Sequence, residues 1–492
     1  LSLPWQFIVS PSQALETSMQ DTPVNQVDFG RLMFLSTLIA ISSNWQFAFS
    51  NTYLNTPVEQ FKVYINESII RSGGTMSEST YTWMWDVIQN IWFVGFFLGI
   101  WLSPLLNDRQ GRKPGLLTAN VFNLISAILQ FVGVLIYQPA ILIVGRAIAS
   151  ISTAVSFQAV VLYLQECSPT YLRGTVSYMS EIVFAGLCIV GMMLGTDQLL
   201  GNNLPALLAV NIPPCIFAVV VVVFIPETPK FLLVSRNDRD AAARSIRFFQ
   251  GRDAEVSHAL KEMEIEACDE QDQASSLRDI PTLLKEPHLR SGLLLSAAAL
   301  QNCVPLWTFI YNSTRFLLDM NVDSDFSKWA STLMCTVYFV GTFIGGFLID
   351  RVGRRKMLLP CTAINIVSIV LFGACSLLHP VMDWIKYVAI AILQLYAVSY
   401  GIGVGAISWF LAAELSPMKY RSLVQSACYS INTISVVISS FAMLPFYDLI
   451  GAYSFLILYT IPSAFCLFYL YRWLPETKGR EIHQIVDDLK AR

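Results

Sequence analysis

Twelve apolar runs recur along the chain, centred near residues 43, 94, 126, 151, 185, 215, 302, 339, 367, 399, 434 and 462. Each is close to the length of about 20 residues that a helix needs to cross a bilayer. Between the sixth and seventh lies a polar stretch, residues 226 to 290, which holds 23 of the chain's 67 Asp, Glu, Lys and Arg residues. The pattern predicts an all-α polytopic membrane protein with twelve transmembrane helices, six on each side of a water-exposed linker. Inside the linker Val256, Leu260, Met263 and Ala267 recur at helical spacing, which predicts short amphipathic helices beneath the bundle. They act either as a plain connection or as a latch across the two halves.

The polar breaks between the runs are duplicated. Asp108-Arg109-Gln110-Gly111-Arg112-Lys113 returns 242 residues later as Asp350-Arg351-Val352-Gly353-Arg354-Arg355. The pattern Glu-x-Ser-Pro-x-x-x-Arg spans Glu166 to Arg173 and again, 248 residues on, Glu414 to Arg421. Pro226-Glu227-Thr228 returns as Pro475-Glu476-Thr477 at an offset of 249. Three motifs in one order at a nearly constant offset indicate tandem duplication of a six-span unit. An even number of spans separates the copies, so the halves share an orientation, a parallel repeat about an axis along the membrane normal with a cavity between the halves. The expected organisation is an N-terminal segment (1–31), a first bundle (32–225), the linker (226–290), a second bundle (291–474) and a tail (475–492).

Composition agrees with a membrane protein: 54% hydrophobic and 14% charged residues over 492 positions, with mean hydropathy +0.53, beyond the usual soluble range. The formal net charge of -3 hides basic residues gathered in alternate loops, at Arg109, Arg112 and Lys113, at Arg173, at Arg351, Arg354, Arg355 and Lys356, at Lys419 and Arg421, and at Lys478 and Arg480. Positive-inside bias makes those loops and both termini cytoplasmic. The residues before Arg31 lack the charged start and cleavage site of a signal peptide, and a chain opening on Leu1 leaves the native start open. Asn66-Glu67-Ser68, in the first outside loop at 57–82, is a predicted glycosylation site that suits the plasma membrane; Asn312-Ser313-Thr314 lies within the seventh run and is discounted. The ten cysteines are dispersed and read as buried thiols, and the four histidines fall in predicted loops or the tail. With no metal-ligand cluster, no phosphate-binding loop and no nucleophile with its base, the chain reads as neither an enzyme nor a metal, cofactor or nucleic-acid binder. Its expected partners are a small solute and the lipid bilayer, with a single chain as the working unit.

Taken together, the duplicated turns, the Glu-x-Ser-Pro-x-x-x-Arg loops and the Pro-Glu-Thr ends resemble the major facilitator superfamily, sugar porter branch, over nearly all of residues 32 to 480. Pro226-Glu227-Thr228-Pro229-Lys230-Phe231-Leu232-Leu233 and Pro475-Glu476-Thr477-Lys478-Gly479-Arg480 are similar to segments of facilitative hexose carriers. The resemblance implies facilitative transport of a hexose or similar small polyhydroxy solute by alternating access, with the charged motifs as a cytoplasmic gate. The expected gate residues are Asp108, Arg109, Arg112, Glu166, Arg173 and Glu227 in one half, and Asp350, Arg351, Arg354, Glu414, Arg421 and Glu476 in the other. Arg109, Arg112, Arg354 and Arg355 are expected to fork onto Glu166, Glu227, Glu414 and Glu476; the competing reading is anchorage at lipid headgroups.

For the solute, mid-span polar and aromatic side chains are the candidates: Glu181, Gln301, Tyr311 with Asn312, Tyr338, Trp409 and Asn432. The resemblance implies hexose contacts at Gln301, Trp409 and Asn432; packing between helices is the alternative. It also exposes departures. A second family glutamine is Leu300 here, family asparagines become Leu306 and Tyr338, a proline-rich segment becomes Gly401-Ile402-Gly403-Val404-Gly405-Ala406-Ile407-Ser408, and a tryptophan becomes Thr433. Glu181 stands where the family has a sugar-binding glutamine, as a solute acceptor, a proton-coupling carboxylate or a structurally paired group. Proton-linked relatives carry an aspartate in the first span, where this chain has Ser50, so facilitated diffusion is expected. Proton coupling through Glu181, a polyol or organic-anion cargo, and a transporter-like nutrient sensor are the alternatives.

Overall fold

The computed structural model describes residues 27–54, 57–74, 77–196, 198–251, 256–268 and 279–491; the expected N-terminal segment before Val27 lies outside them. The described residues are overwhelmingly helical and contain no strand, the outcome the bilayer imposes by offering the backbone no water to bond to. Twelve helices are long and apolar enough to cross a membrane. The first six are Phe29–Thr52, Trp83–Asn107, Arg112–Leu135, Pro139–Cys167, Thr170–Leu194 and Leu204–Phe224. The second six are Pro287–Asp319, Trp329–Val352, Arg354–Leu378, Ile385–Glu414, Lys419–Met443 and Tyr453–Trp473. They are called spans 1 to 12 below.

The duplication extends from the motifs into the packing. A Cβ on Gly99 of span 2 would lie 2.3 Å from the carbonyl oxygen of Ile151 in span 4, and one on Gly341 of span 8 would lie 2.7 Å from that of Val398 in span 10. In each half a missing side chain lets two helix backbones meet, the usual device where lipid supplies no hydrophobic drive to associate.

Two spans depart from regular helix near the middle of the molecule. Span 7 breaks at Asn302 and Cys303, between the helices Pro287–Gln301 and Val304–Asp319, because Pro305 has no N–H to give to the preceding turn. Span 10 widens into a π-helical turn over Tyr400–Val404, the glycine-rich stretch, and π turns change which carbonyls the helix satisfies itself.

Outside the spans, the segment between spans 1 and 2 contains the helix Val58–Arg71, so Asn66 sits mid-helix with Ser68 buried beside it. The linker forms Arg239–Gln250, Val256–Cys268 and Ile280–Lys285; Leu260 and Met263 pack on Leu233, Ala242 and Ile246 with Val256 at the edge, while the side chain of Ala267 lies outside the described set. The tail helix Ile482–Ala491 buries Ile482, Ile485, Val486 and Leu489. Of nine described cysteines eight are buried thiols and Cys466 is half-buried. Two histidines expected in loops lie on helices instead, His258 in the linker and His288 in the first turn of span 7.

Filling the glycine contact tests this packing. Gly99→Leu should destabilise the protein by about 1–3 kcal/mol, the usual cost of overpacking, read as a lower unfolding midpoint in detergent. An unchanged midpoint would rule out the close backbone approach.

Candidate functional site

Spans 3 and 9 each begin directly after a turn glycine with positive φ, Gly111 at +118° and Gly353 at +109°. Neither helix has a local side-chain cap; a distant glutamate supplies it. Glu227 accepts the backbone N–H of Lys113 at 3.0 Å and Glu476 that of Arg354 at 2.8 Å, where the helix dipole favours a carboxylate. A Cβ on Gly111 would lie 2.3 Å from Glu227 Oε2, and one on Gly353 2.7 Å from Glu476 Oε2. Conformation and clearance both demand glycine at these two turns.

The next residue of each turn points inward. Arg112 donates to Glu166 through Nε at 3.1 Å and a terminal nitrogen at 2.9 Å; Arg354 donates to Glu414 at 3.3 and 2.9 Å. Thr228 and Thr477 give their hydroxyls to the other oxygens of Glu166 and Glu414, at 2.6 and 2.7 Å. All four charged partners are buried, where loss of one member of a pair costs about 3–5 kcal/mol. Three expectations are corrected here. Glu227 and Glu476 cap helices and take no guanidinium hydrogen bond among the described residues, because the turn backbone reaches them first. Arg355 donates to the Tyr471 carbonyl at 2.7 Å. Arg109 and Arg351, on the outer curve of each turn, are exposed and form no ion pair among the described residues.

The same end is stitched across the two halves. Asp350 holds Arg354 at 2.8 Å and also accepts the backbone N–H and hydroxyl of Thr175, at the start of span 5, at 2.7 and 2.8 Å. Asp108 lies against Arg421 and Ser422 of the second half. Arg173 reaches Glu481 of the tail at 3.6 Å, and Thr170 donates to the same carboxylate. Deeper in, Tyr178 donates to the Ile402 carbonyl of the π turn at 2.7 Å, Ser426 to Gln158 at 3.2 Å, and Tyr338 to Glu181. Apart from the Asp350–Arg354 pair, each of these bonds joins one half to the other or to its tail, so this end is shut.

Toward the opposite end a cavity of about 390 Å³ opens between the halves, lined in part by Asn51, Gln89, Asn90, Arg146, Tyr311 and Asn312. Arg146 donates to the carbonyls of Ile88 and Ser50 at 2.7 and 3.4 Å and to the Tyr53 hydroxyl at 2.7 Å, with no carboxylate in ion-pair range among the described residues. Tyr311 donates to Asn51 across the halves at 2.6 Å. Between cavity and closed end lies a space of about 20 Å³, bounded in part by Phe47, Trp92, Phe96, Trp307, Trp409 and Asn432. That holds a water molecule and no solute unless the rings part.

The six candidate solute residues therefore separate. Tyr311 faces the outer cavity, and Trp409 and Asn432 face the inner space; the Asn432 amide is given to the Leu300 carbonyl at 2.8 Å, next to the break in span 7. Gln301 lines neither space. Glu181 and Tyr338 are buried against each other and also line neither. The sequence reading did not pick out Thr175, Tyr178, Arg146, Phe47, Trp92, Trp307 and Glu481. It also passed over Thr228 and Thr477, although both repeat within Pro-Glu-Thr. No group of three or more His, Cys, Asp or Glu able to hold a metal occurs among the described residues.

Comparison with known proteins was made on sequence and on fold. Residues 35–489 match the family described as sugar (and other) transporter. The chain is 26% identical over 462 residues to solute carrier family 2, facilitated glucose transporter member 7 of Mus musculus, covering 92% of this chain and 89% of that protein. It is 25% identical over 475 residues to member 5 of Homo sapiens, covering 95% and 94%. Its fold matches the proton:xylose symporter XylE bound to 6-bromo-6-deoxy-D-glucose with a TM-score of 0.78 at 17% identity, covering 93% of this chain and 99% of that one.

At the closed end, outside the spans, lies a cavity of about 310 Å³ lined in part by Glu262, Glu481 and His258. Glu262 of the linker faces Glu481, His258, Arg173 and Lys230. Burial first, then Glu481, raise Glu262 above its ordinary value of 4.5, while His258, Arg173 and Lys230 pull it back. Burial likewise raises Asp108 and Glu227. A raised acid stabilises the packed arrangement fully below its ordinary value and loses that contribution as pH rises through the raised one. As the pH falls from neutral toward the ordinary carboxylate range, trypsin cleavage within the linker, taken relative to cleavage of an unstructured peptide at each pH, should therefore slow, and Glu262→Gln should flatten part of the dependence. Faster cleavage on acidification would contradict the sign.

Proposed function

The chain belongs to the sugar (and other) transporter family, and from that premise we propose that it carries a hexose or a similar small polyhydroxy solute across a membrane by alternating access. It is a transport protein and not an enzyme. One observation carries the reading: a polar cavity between the two halves is open toward one end, while the other end is shut by a duplicated charged network and by bonds from half to half. Such an arrangement has a natural counterpart in which the halves rock, the bonds between them part and the cavity faces the other way. Basic residues gather at the shut end, which supports placing that end and both termini in the cytosol; the cavity then faces outward, and Asn66 lies on the side where glycosylation occurs.

Within this reading the gate consists of Asp108, Arg112, Glu166, Arg173, Glu227, Asp350, Arg354, Glu414, Arg421 and Glu476, with Arg109 and Arg351 left to meet headgroups or solvent. Facilitated diffusion is favoured over proton coupling by two features. Span 1 contains no acid, and Arg146 bonds only carbonyls and a hydroxyl, so no carboxylate beside it is poised to take up and release a proton. Glu181, the remaining candidate, is engaged by Tyr338 away from both spaces.

Two measurements test the proposal. Purified protein in proteoliposomes should take up at least one labelled hexose or polyol without a pH gradient, at a rate unaltered by a protonophore; uptake that collapses with the protonophore would make it a symporter. Glu414→Gln should lower that uptake by about tenfold or more, given the strength of a buried ion pair, at an unchanged surface level. Full activity at equal surface level would remove the gate from the mechanism.

A further inference from the structure

The duplicated ion pairs each lie within one half, so the halves can part without breaking them. What has to break is whatever crosses the divide between the closed end and the aromatic space. One side of span 5 supplies three such contacts, at residues spaced by three. Thr175 donates to Asp350, Tyr178 donates to the Ile402 carbonyl at 2.7 Å, and Glu181 accepts from Tyr338. At 1.5 Å of rise per residue these positions cover about 9 Å of depth, running inward from the charged end.

The two deeper contacts are seated where the second half has no side chain. A Cβ on Gly345 of span 8 would lie 2.8 Å from Tyr178 Cε1 and 2.5 Å from the Ile402 carbonyl oxygen, so the tyrosine ring, the π turn and span 8 meet where only glycine fits. The Tyr178 ring meets Phe410 edge to face, with centres 6.3 Å apart. A Cβ on Gly405 of span 10 would lie 2.8 Å from Glu181 Oε1. Tyr178, Glu181 and Tyr338 are all buried, and polar groups so buried need partners. In the shut state each finds its partner in the opposite half. Once the halves part, water at the opened end replaces these bonds at a small net cost. They can therefore separate and rejoin in a way that a buried guanidinium pair cannot.

The duplication supplies no copy of this arrangement. At the offset of 248 that relates the Glu-x-Ser-Pro loops, Tyr178 corresponds to Ser426 and Glu181 to Tyr429. Ser426 reaches across to the Ile100 carbonyl and to Gln158 at 3.2 Å with a small hydroxyl. Tyr429 stays in its own half and donates to the Trp409 carbonyl at 2.7 Å. The seated tyrosine and carboxyl therefore belong to span 5 and not to the repeat that built the charged network.

We propose that Tyr178 and the Glu181–Tyr338 pair form a second gate, separate from the duplicated charged network, which holds the empty carrier with its cavity outward. Their release sets how often the cavity turns to the other side. This inference rests on the alternating-access reading above and not on which solute is carried.

The test uses the intact protein in detergent, without solute, and Ser426→Cys as the reporter, because Ser426 lies on the divide and is fully buried while that end is shut. Labelling by a maleimide, read at residue 426 by mass spectrometry, then counts the molecules that open. Tyr178→Phe keeps the ring and removes one hydrogen bond, and should raise the labelling rate about fivefold, the population change that one such bond sustains. Tyr338→Phe should act likewise through Glu181, and carries the comparison should Tyr178→Phe misfold. The native Cys215, buried against Gln46 within the first half, should stay as slow to label as before, whereas general loosening would expose both thiols. A rate at residue 426 unchanged in the folded variants, or raised equally at Cys215, would overturn the second gate and leave the sugar reading intact. The expected labelling in a protein that moves no hexose or polyol would uphold the gate and overturn the sugar reading.

Discussion

Two guanidinium groups buried among helices are each neutralised by a buried carboxylate, and the structure builds that pairing twice with the same parts. Arg112 and Glu166 in one half, Arg354 and Glu414 in the other, form pairs at 2.9 Å. Each is completed by a threonine hydroxyl and flanked by a glutamate on a helix start. Charges so placed are held by geometry, since neither partner finds water if the other leaves. The turn glycines, the close approach of Glu227 and Glu476, and the position of Asp350 against Thr175 all follow from keeping these pairs satisfied.

The pairs also make the shut end reversible. Each lies within one half, so it survives a rocking movement, whereas other contacts cross the divide and are separable: Asp350 with Thr175, Arg173 with Glu481, Tyr178 with the Ile402 carbonyl, Glu181 with Tyr338. Buried ion pairs stiffen each half, while hydrogen bonds and one longer ion pair hold the halves together, which suits a machine that must come apart and re-form. The π turn contributes directly, presenting a carbonyl that Tyr178 can take from the other half.

Along the line between the two ends the environment changes in order, from charged to hydroxyl-bonded to aromatic to polar and open. Glu181 and Tyr338 mark one boundary, and the break in span 7, with the Asn432 amide on the Leu300 carbonyl, marks the next. Trp307 and Tyr311 carry the passage from the aromatic level to the polar one.

Much of this was legible in the sequence. Apolar runs of membrane-spanning length leave the backbone no alternative to helix, and a threefold repeat of motifs at nearly one offset leaves little alternative to two like halves; hence the twelve spans and the duplication could be read directly, while the motif arginines and glutamates were legible as one set of partners but not as to which arginine meets which glutamate. Glu227 and Glu476 were legible as partners of the turns but not as helix caps, because a cap depends on which atom arrives first, a matter of a few tenths of an ångström. The solute site was least legible. Whether Glu181 faces a cavity or a tyrosine 157 residues away, and whether Phe47 and Trp307 are packing or lining, depends on how helices from opposite halves rotate against each other. A one-dimensional pattern records the apolar length of a helix but not the angle at which it meets a partner far off in the chain, and that angle was decided only by the tertiary structure.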